Sequence, residues 1–197
     1  METPAQRFAR DEIGKTVSML NLMLVDANFL ASVERAAELC GGALKSGHKI
    51  LFAGNGGSAA DAQHLAAELV GRLDGDRPGL AAVALTTDSS VLTALGNDYG
   101  YEEVFRRQIQ AIGAAGDVFV GISTSGRSKN VLRALEEARA KGLVRIGMTG
   151  AGGGQMATMC DVCLEVPTAS TQKIQEGHII IGHIICGLIE RQIFPKS

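Results

Sequence analysis

The sequence predicts an α/β fold built on a five-stranded parallel sheet with helices on both faces, and three features predict it. Five short apolar runs, at 50–53, 81–85, 118–122, 144–148 and 162–166, are bounded by Gly, Ser, Thr or Pro and have the length of buried strands. Helical stretches lie between them, clearest over 128–140, where Val131, Leu132, Leu135 and Ala138 face one way and Arg133, Glu136, Glu137 and Arg139 the other. Strands that alternate with helices pair in parallel through crossovers, which covers both faces of the sheet.

A chain of 197 residues buries one sizeable core and is short for two. One domain over 1–197 is expected, with a helical segment at 1–46 and an α/β core with a C-terminal helix at 47–197. In the first segment apolar residues recur at helical spacing, Ile13, Val17, Leu20 and Leu24, then Leu30, Val33, Ala37 and Leu44. Asp26 and Asn28 supply a break between two helices. The stretch 174–193 is expected as a last helix, apolar over more of its surface than one flank of a small monomer hides. It is expected to pack against another subunit.

A net charge of −2 leaves no broad basic footprint of the kind that nucleic-acid binding needs. Residues 1–15 mix Arg, Asp, Glu and Lys without an apolar stretch, and no run of about 18 apolar residues occurs. A soluble protein that is not exported, with no nucleic-acid or membrane partner, is therefore expected. Four cysteines without a dense framework fit reduced thiols, and so a cytoplasmic location.

Ligands of open parallel sheets sit beyond the carboxyl ends of the strands, where loops feed helix N-termini that favour anions. Two loops here are unusual. In Gly121–Ser128, G-I-S-T-S-G-R-S, the side chains of Ser123, Thr124, Ser125 and Ser128 each offer a hydroxyl, and Gly126 lets the backbone turn its N–H groups inward. Together they can surround a phosphate without a lysine; a Ser-rich helix cap would use the same residue types but needs only one hydroxyl. A Walker loop is excluded because no G-x-x-x-x-G-K-[ST] string is present. The second loop, Gly54-Asn55-Gly56-Gly57-Ser58, would serve equally as a tight turn. It leads into a helix on which His64 and Glu68 lie one turn apart and point to the same side.

The last helix carries Gln175, Glu176, His178 and His183. Gln175 and His183 would be about 12 Å apart along one continuous helix. They share a small ligand only if the helix starts near Gln175 or if two chains contribute. His178 and His183 point about 140° apart, so at least one is structural. His48 reads as a surface residue. Cys160 and Cys163 form half of a zinc ribbon with no second half, and strand periodicity puts their thiols on opposite faces. Both are read as structural, and Cys40 and Cys186 as buried helix residues.

Four segments together, A-G-N-G-G-S-A-A-D-A-Q-H-L-A-A-E at 53–68, G-N-D-Y-G at 96–100, the G-I-S-T-S-G-R-S loop and I-Q-E-G-H-I-I-I-G-H at 174–183, strongly resemble the phosphoheptose isomerases of the sugar isomerase (SIS) family. The resemblance covers nearly the whole chain. It implies a single SIS domain, a flavodoxin-like three-layer sandwich, usually a homotetramer with active sites between subunits. It implies conversion of sedoheptulose 7-phosphate to D-glycero-D-manno-heptose 7-phosphate, the first step toward the ADP-heptose of lipopolysaccharide. By carry-over, substrate contacts fall on Asn55, Gly56, Gly57, Asn97, Asp98, Ser123, Thr124, Ser125, Ser128 and Gln175. One zinc per subunit falls on His64, Glu68, Gln175 and His183, and every one of these positions holds the family's residue type.

An aldose–ketose isomerisation moves a proton between neighbouring carbons through an enediol, which needs a base, an acid and stabilisation of the developing charge. By resemblance and chemical type, Glu68 is the base and His183 the acid, with zinc as Lewis acid. A carboxylate on zinc is a poorer base, so Glu68 needs ligand exchange or a partly filled site to serve both ends. Two alternatives carry the same fold: a SIS isomerase of a shorter sugar, such as a pentose phosphate, and a non-catalytic SIS protein that binds the replication initiator DnaA or senses a sugar phosphate. The set His64, Glu68 and His183 speaks against the second.

Overall fold

The structure, a computed structural model, describes residues 2–195. Two helices open the chain, α1 (Pro4–Val25) and α2 (Ala27–Lys45). Thr3 caps α1 in a reciprocal box with Gln6, and Asp26 separates the two helices by accepting from the backbone N–H groups of Asn28 and Phe29. There follow β1 (Ile50–Gly54), α3 (Gly57–Val70), β2 (Ala82–Ala84), α4 (Ser89–Tyr99), α5 (Val104–Ile112), β3 (Val118–Ile122), α6 (Lys129–Ala140), β4 (Val144–Gly150), β5 (Val162–Val166) and α7 (Thr171–Ile193).

All four strand pairings are parallel, in the order β2-β1-β3-β4-β5. Alternate residues feed two cores. Ile50, Phe52, Val118, Val120, Ile122, Ile146 and Met148 face α2, α3 and α7. On the other face Leu51, Ala53 and Phe119 meet α5 and α6 through Phe105, Ile109, Val131 and Leu135. The expected three-layer α/β sandwich is found, with each expected strand within two residues of its place. Helices α4 and α5 fill the stretch after β2 where the sequence had suggested only the G-N-D-Y-G string.

Strand order reverses between β1 and β3, which places the crevice for a ligand beyond their carboxyl ends. Gly54 pairs with Ile122 there, so the two loops singled out above leave neighbouring strands side by side.

Two expectations need correction. The apolar surface of α7 is largely spent inside the chain: Ile174, Ile181, Ile185 and Ile189 are buried, and only Ile184 of its large apolar side chains is well exposed. The reason is position, because α7 lies against the sheet with α2 and α3 beside it. The exposed apolar surplus is instead on α1, at Phe8, Ile13, Val17, Leu22, Leu24 and Val25. Second, the Cys160 and Cys163 thiols do not diverge. Cys160 precedes β5, so strand alternation does not apply to it, and both sulfurs lie over Gly147 of β4, where a Cβ would sit 2.8 Å from one and 3.4 Å from the other.

Among the described residues no single helix is long and apolar enough to cross a membrane.

Candidate active site

The β3–α6 loop is shaped by glycine and by hydroxyls that bond to each other. Gly126 has φ +60°, and a Cβ there would run into the Gly153 carbonyl. Ser128 occupies the N-cap of α6 but does not cap it with its side chain. Its Oγ instead lies 2.8 Å from Ser123 Oγ, while Ser125 Oγ accepts from Arg127 N at 3.2 Å. An ordinary serine cap would turn its oxygen to the first-turn amides. Val131 N of the first turn is taken by Asn130 Oδ1, but the N–H groups of Lys129 and Asn130 meet no side-chain oxygen among the described residues, and with the loop hydroxyls beside them they suit an external anion.

The β1–α3 loop stands alongside. Gly56, at φ +56°, forms the N-cap of α3 without a side-chain bond. Asn55 spans the crevice to α6, exchanging hydrogen bonds with Asn130. Gln175 of α7 reaches the same loop, where a Cβ on Gly57 would collide with its amide. Asn97 and Asp98 lie exposed in the last turn of α4, with Asn97 Nδ2 donating to Asp98 Oδ1 at 2.8 Å. A cavity of about 460 Å³ opens between these loops, with Asn55, Tyr101, Ser128 and Asn130 in its wall.

Two turns further along α3, a second cluster forms. His64 Nε2 lies 2.8 Å from His183 Nε2 and 3.3 Å from Glu68 Oε1, and ligand atoms of all three residues fall within 4.8 Å of one another. Gly182 makes this approach possible, since a Cβ there would overlap the Leu65 side chain. Leu65 and Gly182 each adjoin one of the two histidines in sequence. Three groups that can offer lone pairs converge on one spot, which a proton or a divalent cation must satisfy; two imidazoles and a carboxylate are ordinary ligands of such an ion. These residues fit a metal.

Gln175 does not join that cluster within one chain. Helix α7 is continuous from Thr171, so Gln175 stands about 12 Å from His183 along the axis. His178 points elsewhere: it is fully buried, with Nε2 donating to the Thr149 carbonyl at 3.1 Å. Burial pushes its pKa down to about 4, against the small upward pull of that bond.

Several neighbours were not legible as site residues. Asp61, one turn before His64, keeps Oδ2 buried without a partner among the described residues, and burial pushes its carboxyl upward while His64 draws it back. Arg77 and Glu190 form a buried pair at 2.6 Å, and Arg77 also donates to the Glu68 and Leu69 carbonyls, closing the end of α3. Desolvation pushes the Glu190 carboxyl up. Bonds from Leu73 N, Arg77 and Asp74 N outweigh it and hold it below the usual range.

The family model for the SIS domain matches residues 22–150, so the sheet and its two ligand loops define a SIS-domain protein. Over its full length the chain is 54% identical to a phosphoheptose isomerase of Burkholderia pseudomallei, all of which is covered. It is 52% identical to one from Aneurinibacillus thermoaerophilus over 96% of each chain. A solved phosphoheptose isomerase from Neisseria gonorrhoeae superposes with a TM-score of 0.89 at 44% identity, covering 94% of this chain and 98% of that one. The chain belongs to the phosphoheptose isomerase family within the SIS-domain proteins.

Proposed function

We propose that this enzyme converts sedoheptulose 7-phosphate to D-glycero-D-manno-heptose 7-phosphate, the first step toward ADP-heptose. The observation that carries the reading is the convergence of His64, Glu68 and His183 within 4.8 Å, on a chain 54% identical to a phosphoheptose isomerase over its whole length. A non-catalytic phosphosugar or initiator-binding role would need no such cluster, and it is not favoured.

The phosphate is assigned to the hydroxyls of Ser123, Thr124, Ser125 and Ser128, with Asn55, Gly56, Gly57, Asn97 and Asp98 along the sugar. Gripping an ester remote from the reacting carbons aligns C1 and C2 with the acid and base. Glu68 removes the proton from C1 of the ketose and delivers it to C2. His183 protonates O2 and accepts the proton from O1, so the enediol forms and collapses without loss of atoms. His64, Glu68 and His183 would hold zinc, which would supply Lewis acidity at the carbonyl oxygen, and Glu68 and His183 would move protons only while released from the ion.

The exposed apolar side chains of α1, with Ile13, Val17 and Leu24 on one side of the helix, support association between copies, and the family resemblance implies a homotetramer. A second copy also supplies a way for Gln175 to reach a metal that its own chain holds too far off. Four free cysteines fit the reducing cytoplasm. The test is incubation of the purified protein with sedoheptulose 7-phosphate while aldose formation is followed. Accumulation of the heptose 7-phosphate supports the reading. An untouched substrate, together with turnover of a pentose phosphate or capture of an initiator protein, replaces it.

A further inference from the structure

Asn130 is 3% exposed, one residue inside α6, and its primary amide is costly to bury unless it is bonded. Three bonds account for it. Its Oδ1 accepts from Val131 N at 3.0 Å and from Asn55 Nδ2 at 2.9 Å, and its Nδ2 donates to Asn55 Oδ1 at 2.8 Å. The exposed Tyr101 donates its hydroxyl to the same Asn55 Oδ1 at 3.1 Å.

The order of donors and acceptors is forced. A backbone N–H only donates, so Val131 fixes which atom of Asn130 is oxygen. That leaves the Asn130 nitrogen facing Asn55, which must answer with its own oxygen. Asn55 therefore cannot flip without losing both bonds to Asn130, and the second hydrogen on its Nδ2 has no protein partner among the described residues. Beside it lies the cavity walled by Asn55, Tyr101, Ser128 and Asn130.

We infer that Asn130, assisted by Tyr101, is a positioning residue that locks the Asn55 amide so that one N–H meets an oxygen of the phosphosugar. It acts through Asn55 and touches no reacting atom. The lock also ties the glycine loop after β1 to the hydroxyl loop after β3, residues 75 apart in sequence. The substrate side of this inference rests on the isomerase reading, whereas the lock itself does not.

The test has two arms. In ligand-free protein, ¹⁵N spectra should show the Asn55 side-chain amide slowed in solvent exchange, with the protection lost in Asn130→Leu and weakened in Tyr101→Phe. An Asn55 amide that is unchanged in Asn130→Leu overturns the lock whatever the substrate proves to be. In the kinetic arm, Asn130→Leu and Asn55→Ala should each raise KM about tenfold with kcat nearly kept, and the double variant should be no worse than either. Tyr101→Phe removes only an exposed hydroxyl and cannot unfold the chain, and a rise in KM of about threefold is expected. Additive losses in the double variant, or a fall in kcat at unchanged KM, overturn the inference. Failure of the wild type to turn over sedoheptulose 7-phosphate instead strikes the isomerase reading, and the spectra still decide the lock.

Discussion

His64 Nε2 and His183 Nε2 face each other at 2.8 Å, although 119 residues separate them in the chain. Two neutral imidazoles so placed can share only one hydrogen, and Glu68 brings a carboxylate oxygen to 3.3 Å from the same His64 nitrogen. The contact holds α3 to α7 at the one point where Gly182 lets the helices close up.

Glu68→Gln keeps the size and the hydrogen-bonding reach of the side chain but removes its basicity. Turnover should fall below detection while phosphosugar binding, measured by calorimetry, persists. Retained activity would remove Glu68 from its role as base.

Ser125→Ala deletes one hydroxyl of the loop at a position where the side chain is exposed and bonds only to Arg127 N. A KM raised about tenfold with kcat kept is expected for one lost hydrogen bond to a charged group. An unchanged KM would argue against phosphate in this loop.

Arg77→Met leaves Glu190 charged and buried with only two backbone donors. Such a broken buried pair typically costs about 3–5 kcal/mol. The urea midpoint should fall accordingly, and zinc affinity should weaken because Arg77 also holds the Glu68 carbonyl at 2.8 Å. A variant as stable as the wild type would show that the pair contributes nothing net.

His178 gives a pH dependence whose sign is fixed by burial. Its folded pKa of about 4 lies below the usual 6.5, so in acid the unfolded chain takes a proton that the native state refuses. The contribution is complete above pH 6.5 and is lost as pH falls toward 4, amounting to roughly 3 kcal/mol at 1.36 kcal/mol per unit. Urea denaturation of the wild type should show this loss relative to His178→Gln. Parallel pH profiles for the two proteins would contradict it.

Legibility in the sequence followed burial. Strands enclosed on both faces appear as unbroken apolar runs, so Ile50 and Val118 each begin a strand where the pattern says. Helix α4 has no buried residue, and its weak periodicity left it unread. The layer that covers α7 is a tertiary fact, invisible in a count of its isoleucines. Within the site, helical spacing joined His64 to Glu68, but nothing local joins either to His183. The small residue before His183 was the available signal, since Gly182 marks a close helix approach. Asn130 sat inside an amphipathic pattern as one more polar residue, and its bond to Asn55 exists only because β1 pairs with β3.

The most direct test of the three-residue centre is a zinc titration of protein first stripped with a chelator, with aldose formation from sedoheptulose 7-phosphate as the readout. Activity should be absent at the start, rise in proportion to added zinc and level off at one ion per chain, with no rise at all in His64→Ala. Full activity in the stripped protein, or an equal rise in His64→Ala, would contradict the assignment of His64, Glu68 and His183 to a catalytic metal.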